Sequence, residues 1–372
     1  MAVMALIVSS ITWSCKQGAS QNETSDGDTL RMQYAENICI TECDGYTKVE
    51  LVNPWKREAM LHTYLLVKEG DEPTDLPEGT VVKVPLRRSA VYSGVHCSLL
   101  DELGRLDAVK AVCDLEYITN QHVVDACRRG DIADLGSSMA PNIETMVDVG
   151  PDAILLSPFE NSGGYGQVEQ LGIPIIECAD YMETSALGRA EWVRFYGMLF
   201  GCEDEADRLL EQTASKYEAL KAKAQKTETH PKVLVEMVTG STWYVPGGQS
   251  TTGRLIVDAG GWTPYGERQE SGSIALAPET VFDDCQDADV WFLKYSRPTD
   301  FTLTTFGSES PLYSQIKAFK QGRVYGCNLS VVPFYDETPF HPDRLLADMI
   351  RMIHPELMDD YSLQYYHQFE AK

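Results

Sequence analysis

Pro141-Asn142-Ile143-Glu144 opens a short apolar-periodic stretch that runs on to Pro151-Asp152-Ala153-Ile154-Leu155-Leu156. The same spelling returns later. Ala277-Pro278-Glu279 opens a second stretch, which reaches Asp287-Ala288-Asp289-Val290-Trp291-Phe292-Leu293. Each copy reads as a proline, a glutamate at a helix start, and an aspartate just before a buried strand. Glutamate and aspartate stand 8 residues apart in the first copy and 10 in the second. A unit repeated at this distance predicts two similar lobes. One acidic residue per lobe predicts a two-point clamp that a basic partner reads.

Around these copies the pattern alternates strand and helix. Val81-Val82-Lys83-Val84, Ala108-Val109-Lys110-Ala111-Val112, Ile154-Leu155-Leu156 and Pro174-Ile175-Ile176 are short apolar runs, as expected of parallel strands buried on both faces. Residues 168–171 read as a crossover helix closed by Gly172. Alternation resumes at Val233-Leu234-Val235 and continues through residues 290–293 and 323–325, with helices expected near 252–259, 311–320 and 343–353. Upstream, Ile38-Cys39-Ile40-Thr41, Asp44-Gly45 and Val49-Glu50-Leu51-Val52 spell a hairpin, and residues 62–67 a further strand. Residues 184–226 differ: rich in Ala, Glu, Leu, Lys and Arg, without proline, they read as one long helix or two abutting ones broken near Gly201-Cys202.

The predicted organisation is therefore a leader and tether at residues 1–28, an α/β lobe at 29–183, a connector helix at 184–228 and a second α/β lobe at 229–372. The fold class is α/β, with two Rossmann-like lobes, a long rigid connector and a ligand cleft between the lobes.

The chain has 372 residues, enough for two ordinary domains, and its 43% hydrophobic and 23% charged residues are those of a globular protein. A net charge of −25 repels a phosphate backbone and argues against nucleic-acid binding. Ala2-Val3-Met4-Ala5-Leu6-Ile7-Val8 is an apolar run too short to span a bilayer, ending in Ser14-Cys15. It predicts a signal peptide with Cys15 acylated after cleavage, and hence an envelope protein held to the membrane by a lipid anchor alone. Residues 17–28 read as its flexible tether. Of the other nine cysteines, Cys39 and Cys43 flank a turn and are candidates to pair; the rest have no metal-like spacing.

With these residues in place the chain resembles the helical-backbone (class III) periplasmic substrate-binding proteins that serve ABC importers of iron–siderophore, haem and cobalamin. The resemblance rests on residues 141–152, Leu171-Gly172-Ile173-Pro174, the connector, Leu255-Ile256-Val257-Asp258-Ala259-Gly260-Gly261, Ala277-Pro278-Glu279, and the tail from His341 to Pro355-Glu356-Leu357. It covers residues 80–358. It implies a metal-chelate ligand in the interlobe cleft, delivery to an ABC permease and its ATPase by a monomeric protein, and no bound cofactor of its own. It also implies that Glu144 and Glu279, one per lobe, dock onto basic residues of the permease. A glutamate in a first helical turn is favoured by the helix dipole by about 0.3–1 kcal/mol, and offers an arginine bidentate geometry.

In open α/β sheets the ligand lies beyond the carboxyl ends of the strands. The loops at those ends supply the expected cleft residues Arg88, Tyr92, Ser93, Phe159, Tyr165, Trp243, Tyr244, Tyr295, Arg297 and Tyr335. The aromatics would give flat walls, Trp243 and Tyr295 being the leading candidates, with about half of the set packed inside their own lobes. Arg88 or Arg297 would meet a ligand carboxylate or a negatively charged chelate. Bare zinc or manganese binding is the alternative, yet only His96 lies near the expected cleft, where it or a tyrosine would be the candidate axial ligand of a haem. No enzyme motif is complete: His96-Cys97 are adjacent, no Gly-x-Ser-x-Gly occurs, and Gly163-Gly164-Tyr165-Gly166 lacks the lysine of a phosphate loop. The reading is a binding protein that catalyses no reaction, with an envelope enzyme on the same scaffold as a further alternative.

Overall fold

A computed structural model describes residues 28–160 and 164–371. The expected leader, Cys15 and Gly163 lie outside the described residues.

Two parallel sheets form the lobes. In the first, strands are ordered Ile175–Glu177, Ala153–Leu156, Ser89–Val91, Val109–Val112, Ala133–Asp134, every pair parallel. In the second, Val233–Val235, Val290–Tyr295 and Val324–Asn328 run parallel, and His367–Gln368 closes the edge antiparallel. The strands Ala153–Leu156, Val233–Val235 and Val324–Asn328 are buried at every position, the cost of helices covering both faces.

Val81–Val84 departs from expectation. The strand Thr80–Val84 is the last of a separate sheet, with Asp28–Leu30, Ile38–Cys43, Tyr46–Val52 and Met60–Lys68. The pleat explains this. Val82 and Val84 are buried while Val81 and Lys83 are exposed, a period of two that suits a half-solvated sheet. The first lobe's parallel sheet begins instead at Ser89. Thr242–Pro246, expected as a loop, is likewise a strand, in a small antiparallel sheet with Val238–Thr239 and Ser273–Leu276. Cys39 and Cys43 are not paired: both lie on the one strand Ile38–Cys43, and all nine described cysteines are free. Four residues of strand span about 13 Å, beyond the roughly 7 Å between the Cα atoms of a disulfide.

The connector region holds three helices, Ala186–Glu191, Val193–Phe200 and Glu203–Ala224. The break falls at Gly201, whose φ of 64° suits glycine. Gly197 lets the last two helices touch, since a Cβ there would stand 2.7 Å from that of Ala206. The 22-residue helix is about 33 Å long and buries Ala206, Leu210, Thr213, Tyr217 and Ala224 along one face. Ala206 and Leu210 join the first lobe's core, while Tyr217 and Ala224 join the second's. Phe340, from the second lobe, is buried in the first lobe's core with its ring edge-on to Tyr196. Fastened to both cores, the connector resists hinge bending.

The appended sheet is clamped to the same region. Glu191 accepts the backbone N–H groups of Gln33, Tyr34 and Ala35 at 2.7–2.8 Å. Glu183 accepts those of Glu36 and Asn37 and the Trp192 indole N–H. Two buried carboxylates thus satisfy five successive backbone donors, as buried charges must be satisfied.

Candidate functional site

A cavity of about 500 Å³ opens at the carboxyl ends of the second lobe's strands and reaches the connector. Its wall carries Glu236, Lys294, Tyr244, Phe334 and Tyr335, and Arg189 enters from the helix Ala186–Glu191. Placement follows from strand geometry. Glu236 is the residue after the strand Val233–Val235, and Lys294 stands one residue before the end of Val290–Tyr295. Glu236 has φ +62°, a left-handed conformation that costs a non-glycine residue of order 1–3 kcal/mol. This turn brings its carboxylate onto the backbone N–H of Lys294 at 3.1 Å and onto the Lys294 ammonium. Burial works against the lysine's charge, but the Glu236 carboxylate outweighs it, and the Lys294 pKa rises above its ordinary value. The ammonium also lies 5.6 Å from the centre of the Phe334 ring.

Arg189 is held from behind. Its Nε donates to Asp180 Oδ2 at 2.9 Å. Asp180 is buried, and its other oxygen meets His96 Nε2 at 2.9 Å and accepts from the Tyr196 hydroxyl at 2.8 Å. Burial alone would raise the pKa of Asp180; Arg189 and His96 beside it reverse this and hold the carboxyl well below the usual range. Tyr196, buried next to that charge, is pushed well up. His96 therefore belongs to a buried network and does not face the cavity, so it is not placed to ligate a haem there.

The expected cleft residues divide. Tyr244 and Tyr335 line the cavity, both substantially exposed. Trp243 is fully buried, its indole donating to the Val235 carbonyl and its ring packed on Trp291 and Tyr313. Successive residues of a strand face opposite ways, so Trp243 serves the core and Tyr244 the cavity. Tyr295 is also core: its hydroxyl donates to Asp300 and its ring packs on Phe301. Arg297 pairs with Glu309 at 2.6 Å and covers the Phe301 ring. Arg88 lies at the opposite end of the first lobe, before the strand Ser89–Val91, where its guanidinium caps the carbonyls of Val149 and Gly150 at a helix C-terminus. Tyr165 is tied down through its hydroxyl, 2.5 Å from Glu177. Tyr92 and Ser93 do stand at the carboxyl end of Ser89–Val91; the Tyr92 hydroxyl is buried without a partner among the described residues. Phe159 is exposed on the loop after Ala153–Leu156.

Arg189 and Lys294 were not among the expected contacts. Lys294 carried a signal, being the lone cation in an otherwise buried strand. Arg189 carried none, since charged residues are ordinary in a helix read as a spacer. Glu144 and Glu279 are exposed in the first turns of Ile143–Val149 and Pro278–Cys285. A second cavity of about 380 Å³ is lined by residues 98–122 of the first lobe and 333–344 of the second. Its carboxylates are already engaged: Asp336 with Thr119, Glu102 with His341, Asp101 with Asn120 and His122.

Known proteins agree with this architecture. An uncharacterized lipoprotein of Methanocaldococcus jannaschii is 27% identical over 354 residues, covering 88% of this chain and 83% of its own length. A crystal structure described as an ABC-type Fe3+-hydroxamate transport system from Saccharomonospora viridis superposes with a TM-score of 0.55 at 18% identity, covering 73% of this chain and 94% of that one. A periplasmic heme binding protein from Pseudomonas aeruginosa superposes with a TM-score of 0.56 at 14% identity, over 77% and 98%. Both show the same two-lobe fold. The family model described as periplasmic binding protein matches residues 91–329, so the chain belongs to the periplasmic binding protein family.

Proposed function

We propose that this protein is the substrate-binding component of an ABC importer, taking a metal chelate (a ferric siderophore, haem or cobalamin) into the cavity between the second lobe and the connector and delivering it to a membrane permease and its ATPase. The observation that carries this reading is the cavity itself. It is about 500 Å³, walled by Tyr244, Phe334 and Tyr335, and bears two cations, Arg189 and Lys294, each held in place by a carboxylate. Flat aromatic walls with a few fixed polar groups suit a bulky, partly apolar, oxygen-rich ligand. Among the described residues no group of three or more His, Cys, Asp or Glu side chains converges as a bare metal ion requires. Two solved proteins of the same fold carry Fe3+-hydroxamate and heme in their descriptions.

The protein would catalyse no reaction, with release driven by the permease. Cys15 would carry the lipid anchor, in line with the lipoprotein name of the archaeal relative; no described helix is long and apolar enough to cross a membrane. Glu144 and Glu279 would address the two halves of the permease. The test is calorimetry and thermal shift on the purified protein with ferric trihydroxamate, ferric tricatecholate, haemin and cyanocobalamin. Micromolar or tighter binding of at least one is expected. Binding of none sinks the reading, and stabilisation by zinc or manganese alone replaces it.

A further inference from the structure

Resting on that reading, we infer that Arg189 reads an anionic group on the ligand, and that the cavity therefore selects chelates bearing a peripheral carboxylate or an equivalent two-oxygen anion over neutral ones.

The argument is one of hydrogen-bond capacity. A guanidinium carries five N–H donors in a rigid plane. Arg189 uses its Nε–H on Asp180, and its terminal nitrogens make no hydrogen bond among the described residues. Its side chain keeps 27% of its exposure and borders the cavity. Asp180 is itself fixed from behind by His96 and Tyr196, so the plane of the guanidinium is set before a ligand arrives. What remains is the outward edge, two parallel N–H groups that match a carboxylate. Among the described residues the one carboxylate lining the cavity, Glu236, is already taken by Lys294. The arginine also comes from the connector, while the aromatic wall comes from the second lobe. A bound chelate would then touch the element that fastens the lobes together, with its flat face on Tyr244 and Tyr335 and its acid group toward Arg189. His96, Asp180 and Tyr196 act as positioning residues in this scheme.

A purely structural role, with Arg189 only neutralising buried Asp180, makes a different prediction. Lysine supplies the same charge without the fork, so Arg189→Lys would leave ligand binding intact. Our inference predicts that R189K folds, by circular dichroism, and loses about tenfold or more in affinity for haemin and for ferric citrate. The native protein supplies a second reading that needs no variant. Haemin should bind about tenfold or more tightly than haemin dimethyl ester, which keeps the macrocycle and loses the carboxylates, and ferric citrate more tightly than neutral ferric trihydroxamate. Equal affinity within each pair, or R189K binding haemin as the native chain does, overturns this inference and leaves the chelate reading standing. Failure of every chelate to bind overturns both.

Discussion

Asp152 in the first lobe accepts the backbone N–H groups of Arg87 and Arg88 at 2.9 Å, and its own N–H donates to the Arg88 carbonyl at 2.6 Å. Asp289 in the second lobe accepts the N–H of Lys232 at 2.8 Å and donates its own to the Lys232 carbonyl at 2.8 Å. In both, the aspartate before one parallel strand clasps the residue before its neighbour, Ser89–Val91 in one lobe and Val233–Val235 in the other. The repeated aspartate thus sets strand register at the amino ends of the sheets, away from the cavity. The carboxyl ends differ. In the first lobe Glu177 is bonded to His62 and Tyr165, and Asp180 to His96 and Tyr196. In the second, Glu236 and Lys294 open onto the cavity. One scaffold rule is used twice, while the carboxyl ends of the strands carry different side chains in the two lobes.

The sharpest way to break the equivalence of the two copies is to empty matched core positions. Ile154 and Trp291 each stand two residues after the clasping aspartate, and both are fully buried. Trp291→Ala should cost about 3–5 kcal/mol and Ile154→Ala about 2–5 kcal/mol, the tryptophan more because it fills the larger volume. Urea midpoints measure both. A cheaper tryptophan would mean that the second lobe's aromatic core relaxes around the hole in a way the first lobe's aliphatic core does not.

The clasps come next. Asp289→Ala strands a part-buried backbone donor and should cost about 1–2 kcal/mol, whereas Asp152→Ala releases two exposed donors to water and should cost about 0.5–1 kcal/mol. The sites lie in different lobes with no shared partner, so the double variant should show the sum. A strongly non-additive pair would mean that the two sites are coupled through the connector, or that the lobes do not unfold as one unit.

Much of this arrangement was legible beforehand, and the reason is periodicity. The buried parallel strands, the Asp44-Gly45 hairpin, the Gly172 and Gly201 helix ends and the helix at 342–353 all leave local marks. Direction was harder. Whether Trp243 or its neighbour Tyr244 faces the cavity depends on a strand that the sequence reads as a loop, and one misplaced element inverts every side chain on it. The position of Arg88 has a related cause: residues 81–84 read as a strand of the first lobe's parallel sheet, which puts the loop after them at its carboxyl end, whereas they belong to the separate sheet. Arg189 depends on a contact with Asp180 nine residues away and with a cavity built from the second lobe, and neither leaves a trace in the local pattern.

Acid titration probes the second clasp through a smaller effect. Burial opposes ionisation of Asp289, but the Lys317 ammonium at 2.6 Å and the Lys232 N–H outweigh it, so its pKa falls below the ordinary 3.8. A depressed folded-state pKa stabilises the protein above the unfolded value and loses that contribution as pH falls through the folded value. The stability gap between the native chain and Asp289→Asn should therefore be constant above about pH 4 and shrink below it. Urea midpoints at pH 7 and pH 3 read this directly. A gap that widens on acidification would show that the Lys317 pair does not stabilise the folded state.

The smallest effect on the fold should accompany the largest on transport. Glu144 and Glu279 are exposed, and neither carboxylate makes a hydrogen bond or ion pair among the described residues. Reversing either charge with lysine should move stability by no more than about 0.5 kcal/mol, as at other surface sites, and leave chelate affinity unchanged. If the proposed docking holds, uptake in cells should fall sharply, because a lysine would repel basic residues of the permease where the glutamate would pair with them. The copies need not weigh the same. Asn142 caps the first helix through Thr145 N–H at 3.0 Å, whereas Ala277 offers the second no side-chain cap. Glu144 therefore sits on the better-ordered helix start, and Glu144→Lys should impair uptake more than Glu279→Lys. Equal loss would show that both lobes dock with one strength. Loss of chelate affinity in either variant would move that glutamate from the transporter face to the cargo site.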